Sequence, residues 1–317
     1  MIKSFFKTAV ASVMAVFLLN SQALADEQNQ CKDLFSKVQE TYTNGNFEAT
    51  IINTAQNGMQ MYALAHFSKG SIPYTTWKSL NNEDAGYALR QALGFDYNHN
   101  RSYVGPLSWH QTLIWDKVFN SKTELKGYDC TIAGRTRLAG RKVTVLRLAP
   151  VDDVRYAFIV SKDDDTFMPV ELVVMTPSKM VTTRLTVSAM HAASAQNLDF
   201  PDETFDRIEK INAQNPKNLS ANTAVWNELN VPSNFKLVAS GRQEQADGTF
   251  LDFQSFTDGI VEFKVYKNSK ATTNIQTATD GTLTVLRKNS DKHEYAVVGE
   301  IPLELSALVL SKISSSY

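Results

Sequence analysis

Beyond its first 25 residues the sequence has no apolar run approaching the roughly 18–20 residues that a membrane-spanning helix needs, which argues against a helical membrane protein. Cysteine is nearly absent, at two residues, Cys31 and Cys130. Neither has a second Cys or a His at ligand spacing, so no metal site is expected. The five histidines (His66, His99, His110, His191 and His293) are scattered, and none lies three or four residues from another. A nucleophile elbow, a glycine-rich phosphate loop and a metalloprotease helix are all missing, so no spacing supports an exported hydrolase and no cofactor is expected. Asp163-Asp164-Asp165 lacks the Gly and terminal Glu of an EF-hand loop and fits a solvated hairpin tip. An excess of positive charge is also lacking: Lys and Arg total 32 against 33 Asp and Glu. Nucleic acid is therefore not an expected partner.

What is present begins at the N-terminus. Lys3 and Lys7 precede an apolar stretch from Thr8 to Leu19, and Ala23-Leu24-Ala25 is followed by Asp26-Glu27. This is the layout of a cleavable secretory signal over residues 1–25. No Cys follows the cleavage site directly, so a lipid anchor is not expected. Removing the signal takes away two lysines and no acid, leaving a formal charge of −3. In an oxidising compartment outside the cytoplasm, Cys31 and Cys130 are expected to form a disulfide, the alternative being two separately buried thiols.

Leu34, Phe35, Val38 and Tyr42 recur at helical spacing and predict an amphipathic helix over Cys31–Tyr42. Strands are predicted next, with Phe47–Thr54 and Met59–Phe67 flanking a Gln56-Asn57-Gly58 hairpin turn. Further strands are expected at Arg101–Val104, Thr112–Trp115, Thr131–Arg137, Lys142–Leu148, Arg155–Ser161, Pro169–Met175 and Val181–Met190, whereas Leu80–Leu93 has a more helical texture. Strands in close succession with short polar turns favour an antiparallel meander. Several carry apolar residues on both faces, as expected of a sheet covered on both sides. Residues 192–222, rich in Asn, Gln, Ala and Asp, form a linker with a short helix at 202–212. It divides a first domain (26–191) from a small α+β domain (223–317). In the latter, strands are predicted at Phe235–Gln245, Thr249–Phe256, Ile260–Lys267, Thr282–Arg287 and Glu294–Val298, ahead of a helix that begins at Pro302. The fold class is α+β, mainly antiparallel β. Composition alone leaves open whether the first domain holds a packed core or an apolar ligand.

The stretch Gly134–Val160 concentrates Arg135, Arg137, Arg141, Lys142, Arg147 and Arg155 among β-branched and aromatic residues. Within it, Gly134-Arg135-Thr136-Arg137-Leu138-Ala139-Gly140-Arg141 and Arg155-Tyr156 with Phe158-Ile159-Val160 resemble the middle of the RseB/MucB family, as does Met168-Pro169-Val170-Glu171-Leu172. So do Asn46-Phe47-Glu48 and Tyr103 in the first strands. Later in the chain, Val231-Pro232-Ser233-Asn234-Phe235, Phe256-Thr257-Asp258-Gly259-Ile260 and Val298-Gly299-Glu300-Ile301-Pro302 are similar to the family's second-domain motifs, in the same order. The segment 69–100 departs from the pattern, with Lys78-Ser79-Leu80-Asn81-Asn82-Glu83-Asp84 where the family has an L-x-G-P-x-R-E run.

The resemblance implies a first domain similar to the lipoprotein carriers LolA and LppX, an unclosed antiparallel barrel with helices, joined to a smaller domain. It also implies a periplasmic, non-enzymatic regulator. Such a protein binds the periplasmic part of an anti-sigma-E factor of the RseA/MucA type, shields it from regulated proteolysis and is released by lipopolysaccharide or related lipid. A lipid or lipoprotein carrier with the same barrel is the alternative, and a homo-oligomer is left open. Residues expected to meet lipid are Phe47, Met59, Met61, Leu64, Trp77, Trp115 and Phe158, with Arg135 and Arg137 for head-group phosphates. Arg242 and Phe253 are the candidates for contact with the protein partner.

Overall fold

The computed structural model describes residues 26–55, 58–69, 72–82, 85–90, 93–97, 101–104, 113–119, 125, 127–193, 203, 205–207, 224–244, 250–268 and 276–313. The predicted export signal, much of the linker and most of its predicted helix lie outside these residues.

Helix α1 (26–44) forms where the apolar spacing predicts it. Cys31, Phe35, Val38 and Tyr42 are fully buried and, being four, three and four residues apart, share one helical face. The chain then turns at Gly45, whose N–H donates to the Tyr42 carbonyl (3.2 Å). Strand β1 (Phe47–Ala55) pairs with β2 (Gly58–Lys69), closing at Ala55 opposite Gly58. Then come β3 (Ile72–Ser79), β4 (Gly86–Arg90), β5 (Leu93–Asp96), β6 (Arg101–Val104), helix α2 (Ile114–Phe119), β7 (Tyr128–Leu138), β8 (Arg141–Pro150), β9 (Ala157–Asp163), β10 (Pro169–Met175) and β11 (Val181–Ala192).

These strands build one 11-stranded antiparallel sheet in the order β6-β5-β4-β3-β2-β1-β11-β10-β9-β8-β7. Strands β1 and β11 meet in its middle, Phe47 opposite Ala192, while β6 and β7 are not paired with each other, so the sheet is unclosed. Both helices pack against one face, here called inner. Burial on both faces is complete in the middle of the sheet: every residue from Pro169 to Val174 is buried. Edge strand β7, by contrast, is largely exposed after Cys130.

The second sheet has the order β12-β13-β14-β17-β16-β15. Its strands are β12 (Lys236–Glu244), β13 (Phe250–Thr257), β14 (Glu262–Asn268), β15 (Thr277–Asp280), β16 (Leu283–Asn289) and β17 (Glu294–Gly299). Helix α3 (Leu303–Val309) follows Pro302, which stands at its N-cap in extended geometry. Leu305 and Val309, with Leu310 and Ile313 just beyond, are buried with Phe256, Phe263, Val265 and Val297. The same apolar cluster continues without a break into the interior of the first sheet.

Two of these expectations are corrected. The helical texture of Leu80–Leu93 is overturned: Gly86–Arg90 is a strand, and Leu93 begins the next. Tyr87 and Leu89 point inward, whereas Ala88 packs with Phe205 and Arg90 pairs with Asp206 on the opposite side. With both faces covered, the period of two is hidden in an apolar run. Conversely, Thr112–Trp115 was expected to be a strand, but Ile114 opens a helix in which Ile114, Trp115, Val118 and Phe119 are buried. Four residues are too few to separate the two periodicities. Strand β15 was not foreseen, because all four of its residues are exposed and carry no apolar alternation.

Candidate functional site

The inner face is lined by rows set by strand register. Leu146, Val160, Leu172 and Leu185 form one row across β8, β9, β10 and β11; Cys130, Leu148, Phe158 and Val174 form another. On the other half, Leu64 is opposite Trp77 and Trp77 opposite Tyr87. Helix α1 is tied to this face by a disulfide between Cys31 and Cys130, whose Cα atoms are 5.5 Å apart, so the predicted pairing is formed. Tyr42 packs against Phe47, Trp115 and Phe119.

Phe47, Leu64, Trp77, Trp115 and Phe158 are thereby brought into one buried cluster. Met59 and Met61 are not. With Leu64 inward and no break in the β2 register, alternation places both on the opposite face, and Met59 is 61% exposed. Their expected place inside the sheet is thus corrected. Arg135 and Arg137 are exposed on edge strand β7, and Arg137 donates to the Gly140 carbonyl at the hairpin turn (3.4 Å). Arg141 is paired with Asp163 (2.9 Å). In the second sheet Arg242 is opposite Asp252 and forms an ion pair with it, whereas Phe253 is opposite Gly241. Arg242 and Phe253 therefore present to different faces.

A polar node in the apolar interior was missed by the sequence reading. The Asp116 carboxylate of α2 accepts hydrogen bonds from Tyr42 Oη (2.9 Å), Trp77 Nε1 (2.7 Å) and Tyr87 Oη (2.8 Å). Tyr87 Oη in turn accepts from the Leu113 N–H (3.0 Å). Three donors from α1, β3 and β4 thus converge on one carboxylate. Burial nevertheless raises its pKa to about 6, against the lowering effect of those donors. Nearby, burial pushes His66 down to about 4. Its ring stacks on Phe47 and its Nδ1 lies 2.9 Å from the Gly45 carbonyl, which requires a proton on Nδ1.

These two groups have opposite linkage. The raised Asp116 stabilises the fold at low pH and loses that contribution as pH rises through its folded value of about 6. The depressed His66 stabilises the fold above its ordinary 6.5 and loses that contribution as pH falls toward about 4. Each is worth about 3 kcal/mol at most, so between pH 4 and 6 they oppose one another. Asp116→Asn is expected to remove the compensation, so that acid destabilises the variant more steeply than the parent. Urea unfolding at pH 7, 6, 5 and 4 checks this; equal pH slopes for the two proteins would contradict it.

A second polar cluster lies where the two sheets meet. Arg155, in the bend before β9, is fully buried through its side chain and bonds Asp258 of the second unit (2.8 Å) and Asp152 (2.6 Å). Its remaining nitrogen donates to the Gly127 carbonyl (2.5 Å), and its guanidinium stacks over Tyr128, 4.4 Å from the ring centroid. Gly127 has φ +75°, and a Cβ there would sit 2.7 Å from the Arg155 guanidinium, so glycine is required. Tyr128 Oη also donates to Asp258 (3.2 Å), and Asn234 Nδ2 donates to Asp152 (3.4 Å). Further along, Lys117 of α2 forms an ion pair with Glu300 (2.6 Å). Glu300 also accepts from Thr282, whose carbonyl takes the Tyr156 hydroxyl. Burial lowers the Lys117 pKa and raises that of Glu300, and their mutual attraction opposes both shifts. Arg155, Asn234, Asp258 and Glu300 each sit in a motif quoted above for the resemblance. Charged residues in otherwise apolar motifs were the signal that could have found this junction.

Among the described residues no group of three or more His, Cys, Asp or Glu is placed to hold a metal ion, and no helix is long and apolar enough to cross a membrane.

The profile of the MucB/RseB N-terminal domain matches residues 30–213, and that of the MucB/RseB C-terminal domain matches residues 220–314. The chain belongs to the MucB/RseB family. The sigma-E factor regulatory protein RseB of Salmonella typhimurium is 26% identical over 328 residues, covering 96% of each chain. RseB of Haemophilus influenzae is 19% identical over 317 residues, covering 95% of this chain and 96% of its own. Among solved structures, the Pseudomonas aeruginosa MucA/MucB complex superposes with a TM-score of 0.68 at 18% identity, covering 91% of this chain and 99% of that one. A crystal structure of MucB in complex with MucA(peri) gives 0.62 at 17% identity, with 91% and 99% coverage. Both support the fold: an unclosed antiparallel sheet with helices, followed by a smaller α+β unit.

Proposed function

We propose that this member of the family is an exported, non-enzymatic regulator that binds the periplasmic part of a membrane-anchored anti-sigma factor. Bound there, it shields that factor from regulated proteolysis, and it releases the factor when lipopolysaccharide or a related lipid occupies the first domain. The observation that carries the reading is the match to both family domains in order, with the matched motifs meeting at the domain junction. The apolar inner face, with Phe47, Leu64, Trp77, Trp115 and Phe158, suits acyl chains, and Arg135 and Arg137 on the edge strand suit head-group phosphates. The partner is assigned to the second domain around the exposed Arg242; Phe253, on the other face of the sheet and only 9% exposed, would have to be uncovered to take part. Titration of the mature chain with the periplasmic segment of its cognate anti-sigma factor is expected to give saturable binding that lipopolysaccharide reverses. Transfer of lipid to an acceptor without any anti-sigma binding would favour the carrier instead.

A further inference from the structure

Helix α2 occupies an unusual position. Two consecutive side chains on it point to opposite partners: Asp116 is gripped by Tyr42, Trp77 and Tyr87 of the first domain, and Lys117 is paired with Glu300 of the second. The apolar residues of the same helix, Ile114, Trp115, Val118 and Phe119, fill the inner face. At six residues the helix is far below the roughly 12–15 residues at which an isolated helix becomes even marginally stable in water. It is therefore held by tertiary contacts alone. Helix α1, the other occupant of that face, is fastened covalently through Cys31–Cys130; α2, among the described residues, has no covalent tie to the sheet.

We propose that α2 is the element that couples the two domains: a ligand entering the inner face displaces α2 rather than α1, and displacement withdraws Lys117 from Glu300 in the same movement. Ligand entry and rearrangement of the junction then become one event, because the groups that anchor the helix on either side are neighbours on a two-turn segment. Glu300 freed from Lys117 keeps the hydrogen bond that it accepts from Thr282, the residue whose carbonyl holds Tyr156. The disturbance thus passes to the β15–β16 turn. This rests on the reading that a lipid enters the first domain, but the coupling itself is testable without lipid.

The experiment is hydrogen exchange on the mature, disulfide-bonded chain, with Tyr87→Phe loosening the first-domain anchor and Glu300→Gln the second. Tyr87→Phe removes the hydrogen bond to the Asp116 carboxylate and the one accepted from the Leu113 N–H, so exchange across 114–119, beyond the directly released amide, is expected to rise by about tenfold. If α2 is the coupler, exchange at 281–285 and 297–302 rises with it, although the hydrogen bonds of Tyr87 go to Asp116 and Leu113. Glu300→Gln is expected to do the converse, raising exchange at Tyr42 and around Trp77. Effects confined in both variants to the altered side would overturn the proposal. A separate arm adds lipopolysaccharide to the parent. Joint deprotection of 113–119 and 297–302 supports the coupling, and lipid binding with α2 still protected overturns it. Reciprocal effects in the variants together with no lipid binding at all would leave the coupling standing and sink the lipid-release reading instead.

Discussion

Removal of the Cys31–Cys130 bridge, by the Cys31→Ser/Cys130→Ser pair, is expected to lower the unfolding free energy by about 4–5 kcal/mol. The two residues are 99 apart in sequence, and in the chain-entropy description a loop of that size strongly restricts the unfolded chain. The folded state loses something as well. The bridge ties α1 to the edge strand, and both sulfurs lie in the buried core, so two serine hydroxyls would be placed among Phe35, Leu148 and their neighbours without assured partners. Urea unfolding followed by far-ultraviolet circular dichroism measures the loss. A change below about 1 kcal/mol would mean that packing, not the bridge, holds α1 in place. If the double variant fails to fold, its circular dichroism lacks the native signal before urea is added and no cooperative transition is seen.

Arg155→Leu is expected to cost about 3–5 kcal/mol, because it abandons a buried charge rather than removing a pair. Asp258 has a side chain as fully buried as that of Arg155; with the guanidinium gone, it keeps the Tyr128 hydroxyl and the N–H groups of Ile260 and Val261. The Gly127 carbonyl loses its Arg155 donor. Adding Asp258→Asn removes the orphaned charge, so the double variant is expected to recover a large part of the loss. Because these contacts join the two units, thermal unfolding of Arg155→Leu should also broaden or divide into two transitions. Strict additivity of the two single effects would show that the pair carries no coupling.

The residues of α1 show how much of the fold was legible. A stripe at intervals of three and four survives any amount of tertiary rearrangement, since only one face of a helix can meet a sheet. Strands β10 and β11 were equally legible, as were most strands of the second sheet, because alternation and turn residues lie within a few positions of one another. The inner face was legible in part. Leu64 and Trp77 were placed within it, but Met59 and Met61 were assigned with them although they differ from Leu64 in parity. Hydrophobicity suggested a ligand-facing role where only register decides the face. The Leu80–Leu93 segment failed for a related reason: the packing of Phe205 behind Ala88 covers the second face and erases the alternation that marks a strand.

The sequence by itself determined the features whose causes are local: the face of α1, the succession of antiparallel strands, the availability of two cysteines for one bridge and, through motifs in order, membership of the family. Tertiary structure decided what those motifs do. Arg155 and Asp258 are 103 residues apart, and Lys117 and Glu300 are 183 apart. Each reads alone as an ordinary surface charge. Only the meeting of the two sheets removes them from water, and a charge removed from water must find its opposite. Likewise Asp116, which resembles any solvated acid of a short helix, becomes the anchor of α2 because α1, β3 and β4 bring three donors to it from distant parts of the chain.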